Sequence, residues 1–242
     1  MRNIIKSDFY YHCVNIKIYI YAMLFMFVYI IGTSIGNMEW ASNQTLYSII
    51  RVMIKQQYMM IMIILLGITC YYQGKMFGNR FLIYQVVSYG KRKTLLSKYI
   101  VQITNNVAFV TGLVLCSLVI LCNVYQVRNG INIGVVLFYL LFILLIIRYT
   151  VRLLTMNYLV RSGIKAAIFT WMIVVAEWMP CLIGQEYNIV GLLDISIWFL
   201  PGQINSLTIS QSLVEILPYI FITTIIELGL EIICIRCRKD VV

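Results

Sequence analysis

The chain has 242 residues, of which 62% are hydrophobic and only 12% charged, and its mean hydropathy is +0.89. A soluble domain carries about 25% charged and about 45–50% apolar residues, so the composition excludes an ordinary soluble fold and predicts an all-α integral membrane protein. The net charge is +10. Because the basic residues are divided among separate polar segments, without a stripe of stacking aromatic side chains, we expect them to set topology and contact lipid headgroups, with no nucleic-acid partner.

Residues 1–17 are polar and aromatic by turns. Ile4, Ile5, Phe9 and Tyr10 recur at helical spacing, which predicts an amphipathic helix lying at the membrane interface. The apolar run that starts after Lys17 is too long for a cleavable signal sequence, so we expect no signal peptide.

Six apolar runs follow, each close to the roughly 20 residues that a transmembrane helix needs. We predict six spans in a single transmembrane domain, at about 18–38, 56–74, 99–124, 131–152, 165–183 and 213–235. Residues 184–212, between the fifth and sixth spans, are neither charged nor truly polar. We expect short re-entrant or interfacial elements there, on the extracellular side.

The orientation follows from the distribution of the 19 Lys and Arg residues. All except Arg51, Lys55 and Arg128 lie in the N-terminal segment, between spans two and three, at the adjoining ends of spans four and five or in the loop between them, or in the C-terminal tail. The positive-inside rule therefore places these segments and both termini in the cytoplasm of a multi-pass protein of the cell membrane.

The polar segment 73–98, between spans two and three, carries several basic residues and no acidic one. Asn79 is a natural N-cap and Gly90 a natural C′ residue, so residues 80–89 are predicted to form a short helix. Apolar side chains cover too much of this helix for it to be freely solvated. Such a helix lies on a membrane surface or docks in a groove of another protein, and we expect docking. The alternative is a basic loop that only sets topology.

This arrangement resembles the permease subunits of type-2 ABC exporters, which carry a cytosolic helix between spans two and three. The residues that carry the resemblance are Gly78, Arg80, the run FLIYQVVSYG, Lys91, Arg92, Lys93, Leu95, Leu96 and Lys98. The layout of helices is similar over essentially the whole chain. This chain departs from the family pattern at Gln73, where the family has an acidic residue.

The resemblance implies that residues 79–90 are a coupling helix seated on a cytosolic ATPase. The docking residues would be Arg80, Phe81, Tyr84, Tyr89, Lys91 and Arg92. It also implies that two permease chains, identical or homologous, pair in the bilayer with two ATPase subunits and move an amphiphilic cargo out of the membrane. Small permeases rich in Ile and Tyr resemble those that clear antimicrobial peptides; lipids, polysaccharide precursors and hydrophobic drugs are the alternative cargoes.

No catalytic motif is present. The one histidine, His12, adjoins Cys13, but neighbours on a helix point about 100° apart and do not easily form a nucleophile–base pair. The chain has no GxxxxGK[ST] motif, so ATP and Mg are expected in the partner and no cofactor in this chain. Cys234 and Cys237 lack a second close pair or a nearby histidine, so we expect no metal site.

Two functions outside transport remain as alternatives. One is a membrane-embedded enzyme that processes a signalling peptide, which would use His12 or a cysteine. The other is a membrane scaffold or sensor that transports nothing.

Charged residues inside spans are costly and usually functional. Glu227 and Glu231 share one face of the sixth span, and counting about 1.5 Å per residue places Arg148 at their depth. We expect Arg148, with Arg152, to form an intramembrane ion pair with Glu227 or Glu231. The alternative is that these side chains extend from helix ends to the headgroups.

Glu177 lies between Trp171 and Trp178 in the outer half of the fifth span. A carboxylate there either lines a path for the cargo or sits beside a water pocket in the outer leaflet.

Overall fold

The computed structural model describes residues 2–36, 46–77, 80–124, 133–160 and 164–172, together with the single positions 225, 229 and 233. Within these ranges the chain is helical and contains no strand, which confirms the all-α class. The helices are α1 (Arg2–Val14), α2 (Lys17–Gly36), α3 (Leu46–Phe77), α4 (Arg80–Tyr89), α5 (Lys91–Val124), α6 (Ile133–Val160) and α7 (164–172). None of them contains proline, so their backbone hydrogen-bond ladders are uninterrupted.

One helix in the described ranges is long and apolar enough to cross a membrane by itself, over Lys93–Val124. A second candidate is the pair Arg2–Val14 and Lys17–Thr33, which meets the same test when counted as one span bent by 59°. Most of the predicted spans 165–183 and 213–235 lies outside the described residues. The helices α3 and α6, which cover the predicted span 56–74 and most of the predicted span 131–152, are not among these candidates. Six spans is therefore not supported by the described residues and stays a prediction.

The bend between α1 and α2 is held by a side chain from α3. The turn consists of Asn15 and Ile16, and the Tyr72 hydroxyl donates a 2.7 Å hydrogen bond to the Asn15 carbonyl. The Asn15 amide donates back to the Tyr11 carbonyl at 2.9 Å, which satisfies one of the free carbonyls at the end of α1. The first helix is thereby kept at an angle to the second.

α5 is the central helix, because it packs against α1, α2, α3, α4 and α6. The apolar core lies mainly between α2, α3, α5 and α6. Its fully buried members include Met26, Ile30, Met53, Met62, Leu65, Val110, Leu113, Phe142 and Ile146.

α6 is longer than the sequence pattern predicts. We expected the fourth span to end at 152 and a basic loop to follow, whereas the helix continues to Val160. Leu153, Leu154 and Asn157 are buried in this extension, and the hydroxyls of Tyr99 and Thr155 lie 3.0 Å apart across α5 and α6. Packing against the first turns of α5 keeps residues 153–160 helical, although the basic residues Arg152 and Arg161 flank them in sequence.

A single residue, Gly90, separates α4 from α5, and α4 covers the residues for which the capping pattern predicts a helix. Gly90 has φ +83°, and its N–H donates to the Val86 carbonyl at 2.9 Å, as expected for a C′ glycine. The Thr94 hydroxyl donates to the Gly90 carbonyl at 3.1 Å and lies 3.2 Å from that of Gln85. The reversal between the two helices is therefore tight and is stabilised by these hydrogen bonds.

Replacing Gly90 with alanine should lower the free energy of unfolding by about 1 kcal/mol, because a residue with a Cβ is strained at positive φ. The matched control is Gly67→Ala inside α3, where an added Cβ has open space and alanine favours the helix. Urea unfolding of both variants in detergent gives the comparison. Equal effects would show that the positive φ at Gly90 imposes no constraint.

Candidate functional site

Asp8 is a fully buried carboxylate on α1. Ile4, Asp8 and His12 are spaced by four residues, so they share one face of the helix, and all three are buried. This face packs on α5. Asp8 is also the only acidic residue in the described part of the chain.

The carboxylate of Asp8 receives groups from two other helices. Its Oδ1 accepts a 2.8 Å hydrogen bond from Gln85 Nε2 on α4, and its Oδ2 accepts a 2.7 Å bond from Ser97 Oγ on α5. The Lys98 ammonium lies 3.7 Å from Oδ1. Gln85 Nε2 also donates to Ser7 Oγ at 3.2 Å. We call these five residues (Ser7, Asp8, Gln85, Ser97 and Lys98) the Asp8 cluster.

The residues of the Asp8 cluster interact strongly with each other because they are shielded from water. Asp8 is 0% exposed and the Lys98 side chain 9% exposed. Hydrogen bonds to an ionised acceptor are short and about twice as strong as neutral ones, and removing one member of a buried ion pair typically costs 3–5 kcal/mol. The short helix α4 is therefore fixed to α1 and to the base of α5.

Polar residues continue along α5 beyond Lys98, at intervals of four. Gln102 Nε2 donates to Thr69 Oγ1 of α3 at 3.3 Å, and Asn106 Nδ2 donates to Thr150 Oγ1 of α6 at 3.1 Å. Gln102 Nε2 also donates to Asn106 Oδ1 at 3.0 Å. α5 thus carries a buried polar stripe that begins at the Asp8 cluster and joins α3 and α6 inside the helical core.

His12 lies beside the Asp8 cluster in a stack of aromatic rings. Its ring centroid is 4.1 Å from that of Tyr72, which in turn stacks on Tyr19 at 5.3 Å. Burial lowers the pKa of His12 to about 4, against an opposing effect of the Asp8 carboxylate. The imidazole is therefore neutral at pH 7, and it is buried whereas the adjacent Cys13 is exposed.

The predicted docking residues lie on α4 and at the start of α5. Tyr89 is 44% exposed, and Val87, which the sequence pattern did not single out as an anchor, is 79% exposed. The side chains of Arg80, Phe81, Tyr84, Lys91 and Arg92 lie outside the part of the structure that is described. Val87, two residues after Gln85, lies on the opposite side of α4, whereas Tyr89, four residues after Gln85, lies nearly on the same side and is exposed at the end of the helix.

The proposed intramembrane charges are described only in part. Arg152 is 6% exposed and Arg148 is half-buried, both on α6. Glu227 and Glu231 lie outside the described residues, so the ion pair stays a prediction.

The proposed cargo path is also described only in part. Trp171 packs partly against the apolar core. Glu177 and Trp178 lie outside the described residues.

The sequence pattern missed Asp8, although two signals were available. It is the only acidic residue before Glu39, within a basic N-terminal segment, and it lies four residues from both Ile4 and His12. Lys98, Gln102 and Asn106 likewise repeat every four residues on α5. Such spacing marks one helix face, but the partners of that face come from distant segments.

No group of three or more His, Cys, Asp or Glu residues that could hold a metal ion occurs in the described ranges. Cys234 and Cys237 lie outside them. Comparison with protein-family models, with curated protein sequences and with solved structures gives no match to this chain.

Asp8→Ala should lower the free energy of unfolding by about 3–5 kcal/mol, because it leaves the Lys98 ammonium in a buried site without its carboxylate. The double variant Asp8→Asn with Lys98→Met should recover part of this loss by removing both charges. Lys93→Met is the control. Lys93 lies on α5, like Lys98, but is exposed, so its replacement should change the free energy of unfolding by less than about 0.5 kcal/mol. Similar losses of unfolding free energy in Asp8→Ala and Lys93→Met would contradict a stabilising role of the Asp8 cluster.

The low pKa of His12 predicts a pH dependence of stability. As the pH falls from about 6.5 towards 4, the unfolded chain binds a proton at His12 and the native chain does not, so the native state loses stability. The variant His12→Phe keeps an aromatic ring in the stack but has no imidazole to bind this proton. Urea unfolding at pH 7 and pH 5 should show a larger loss for the native sequence than for the variant; equal losses would show that His12 titrates normally.

Proposed function

We propose that this chain is the membrane-spanning permease subunit of an ATP-driven exporter of the type-2 ABC kind. In this proposal it has six transmembrane helices, with both termini in the cytoplasm, and pairs with a second permease chain and two cytosolic ATPase subunits. The cargo is an amphiphile, with an antimicrobial peptide first among the candidates. ATP and Mg bind to the ATPase subunits.

The observation that carries the proposal is the attachment of α4. A helix that transmits movement from a docked protein must not shift independently of the helices it moves. Gln85 binds α4 to the Asp8 carboxylate of α1, and the Gly90 reversal joins α4 directly to α5. Displacement of α4 would therefore displace α1 and the base of α5 together.

The exposed C-terminal end of α4 supports a docking role. Val87 and Tyr89 are exposed on different sides of this end, and Arg80, Lys91 and Arg92 flank the helix in sequence. Aromatic and Arg side chains dominate the energetics of small interfaces. A partner groove with an apolar floor and carboxylates at its rim would match this segment.

The polar stripe on α5 supports a route from α4 into the helical core. A movement of α5 at Lys98 would also move Gln102 and Asn106, which lie on the same helix. These two side chains are hydrogen-bonded to α3 and α6, respectively. A transport cycle requires discrete alternative helix arrangements, and in this proposal the hydrogen bonds of Gln102 and Asn106 are exchanged between them. We therefore propose that tilting of α5 changes its packing against α3 and α6.

The membrane topology in this proposal rests on charge. All Lys and Arg residues except Arg51, Lys55 and Arg128 lie in the segments placed in the cytoplasm or at the adjoining ends of spans four and five. The candidate span Lys93–Val124 starts at the basic end of α5, next to α4, which agrees with a cytosolic position of that helix.

The enzyme alternative would use His12 or a cysteine as base or nucleophile. His12 stacks on Tyr72 and is buried, while Cys13 is exposed. No described contact favours chemistry at this pair, nor does one favour a scaffold without transport.

Purification of the chain from its native membrane in mild detergent should recover a soluble protein with a GxxxxGK[ST] motif in stoichiometric amount. Val87→Asp should reduce this recovery at least about tenfold, because a charge would enter an apolar interface. Val124→Asp is the control, as Val124 is also exposed but lies at the opposite end of α5. Undiminished recovery with Val87→Asp would refute docking through this face, and recovery of the chain without any ATPase would refute the exporter.

A further inference from the structure

A cavity of about 260 Å³ lies where α1 bends into α2 against the middle of α5. Its walls include Phe9, Ile16, Ile20, Met23, Ala108 and Phe109, and the surface that they present to it is almost wholly apolar. It is open on one side and does not overlap the Asp8 cluster. Its shape is created by the 59° bend between α1 and α2.

The chemistry of these walls selects an apolar occupant. A buried water needs two to four polar partners, whereas cavities lined by apolar side chains stay dry and bind hydrocarbons. The polar residues at the cavity are His12, Cys13, Tyr19 and Asn105. The Tyr19 hydroxyl accepts a 3.4 Å hydrogen bond from Gln102, and His12 is uncharged. His12 Nδ1 and Asn105 Nδ2 have no hydrogen-bond partner among the described residues, but both atoms are buried and so add little to the surface of the cavity. An occupant would therefore be held by burial of its apolar surface.

The surroundings of the cavity are apolar on one side and basic on the other. Along α2, exposed apolar side chains continue from the cavity over Ile20, Tyr21, Leu24, Phe25 and Val28. On α1, Arg2 and Lys6 are exposed and lie seven and three residues before Phe9, on the same side of the helix, and Lys17 is exposed at the bend. The one acidic residue in the described ranges, Asp8, is enclosed.

We propose that this cavity binds one acyl chain of an anionic membrane lipid, with the phosphate headgroup beside the basic residues of α1 and of the bend. An acyl chain entering along α2 would meet apolar surface throughout, and the basic rim complements a phosphate. The bound chain would brace α1 against α2 and so support the helix that carries Asp8. The proposal rests on the membrane location of the proposed function, but not on transport.

Photolabelling tests the site directly. The full chain is placed in phosphatidylcholine nanodiscs with a trace of phosphatidylglycerol that carries a diazirine on its acyl chain. After irradiation, we expect adducts on peptides from residues 9–23 and 105–109. A phosphatidylcholine probe with the same acyl diazirine should label these peptides less, and Lys17→Gln should reduce the difference between the two probes.

A variant that fills the cavity provides the matched comparison. Ala108→Trp should lower labelling at least about fivefold, since the indole occupies the space of the acyl chain. Val119→Trp, at an exposed apolar position about three turns farther along α5, should leave it unchanged. Equal labelling of the two variants, or equal labelling by the two lipid headgroups, would overturn the proposal.

Cys13 offers a second readout that needs no substitution in the cavity wall. It lines the cavity and is exposed, whereas Cys116 is exposed on α5 away from it. Phosphatidylglycerol added to the delipidated chain should slow alkylation of Cys13 by N-ethylmaleimide relative to Cys116. Equal protection of both thiols would count against the site, and this result is independent of whether an ATPase is recovered with the chain.

Discussion

A carboxylate removed from water must be neutralised and hydrogen-bonded, and this requirement at Asp8 organises one end of the molecule. The partners come from α4 and α5, so α1 is joined at one point to two consecutive helices that lie far from it in sequence. An ordinary apolar contact would permit small shifts between these helices. A buried ion pair with two further hydrogen bonds requires one arrangement, because each misplaced partner would leave a buried charge or donor unsatisfied.

The central position of α5 extends the effect of this cluster through the bundle. α5 contacts five other helices, and its buried polar residues repeat every four positions from Lys98 to Asn106. In the proposed membrane location, α3, α5 and α6 would gain little from apolar contacts with each other, since lipid tails are equally apolar. Hydrogen bonds from Gln102 and Asn106 to α3 and α6 would then provide specificity that the surrounding Leu, Ile and Val side chains do not.

α1 has two distinct faces, and their difference links the two proposals. One face places Asp8 and His12 against α5, while Phe9 and Cys13 border the apolar cavity. A lipid chain in the cavity and a protein docked on α4 would both act on the position of this one helix. The angle of α1 would then depend on the membrane as well as on the partner.

Local chemistry allowed the helical class to be predicted from the sequence, because apolar composition and capping residues act over a few positions. Asn79 and Gly90 bracket the short helix α4, and Lys17 marks the start of α2. The Asp8 cluster could not be predicted in this way. Asp8 meets Gln85 and Ser97 across 77 and 89 residues, respectively. Helical spacing shows which side chains share a face, but not which distant segment covers that face. The burial of Asp8, the continuation of α6 past residue 152 and the bend held by Tyr72 were therefore decided only by tertiary packing.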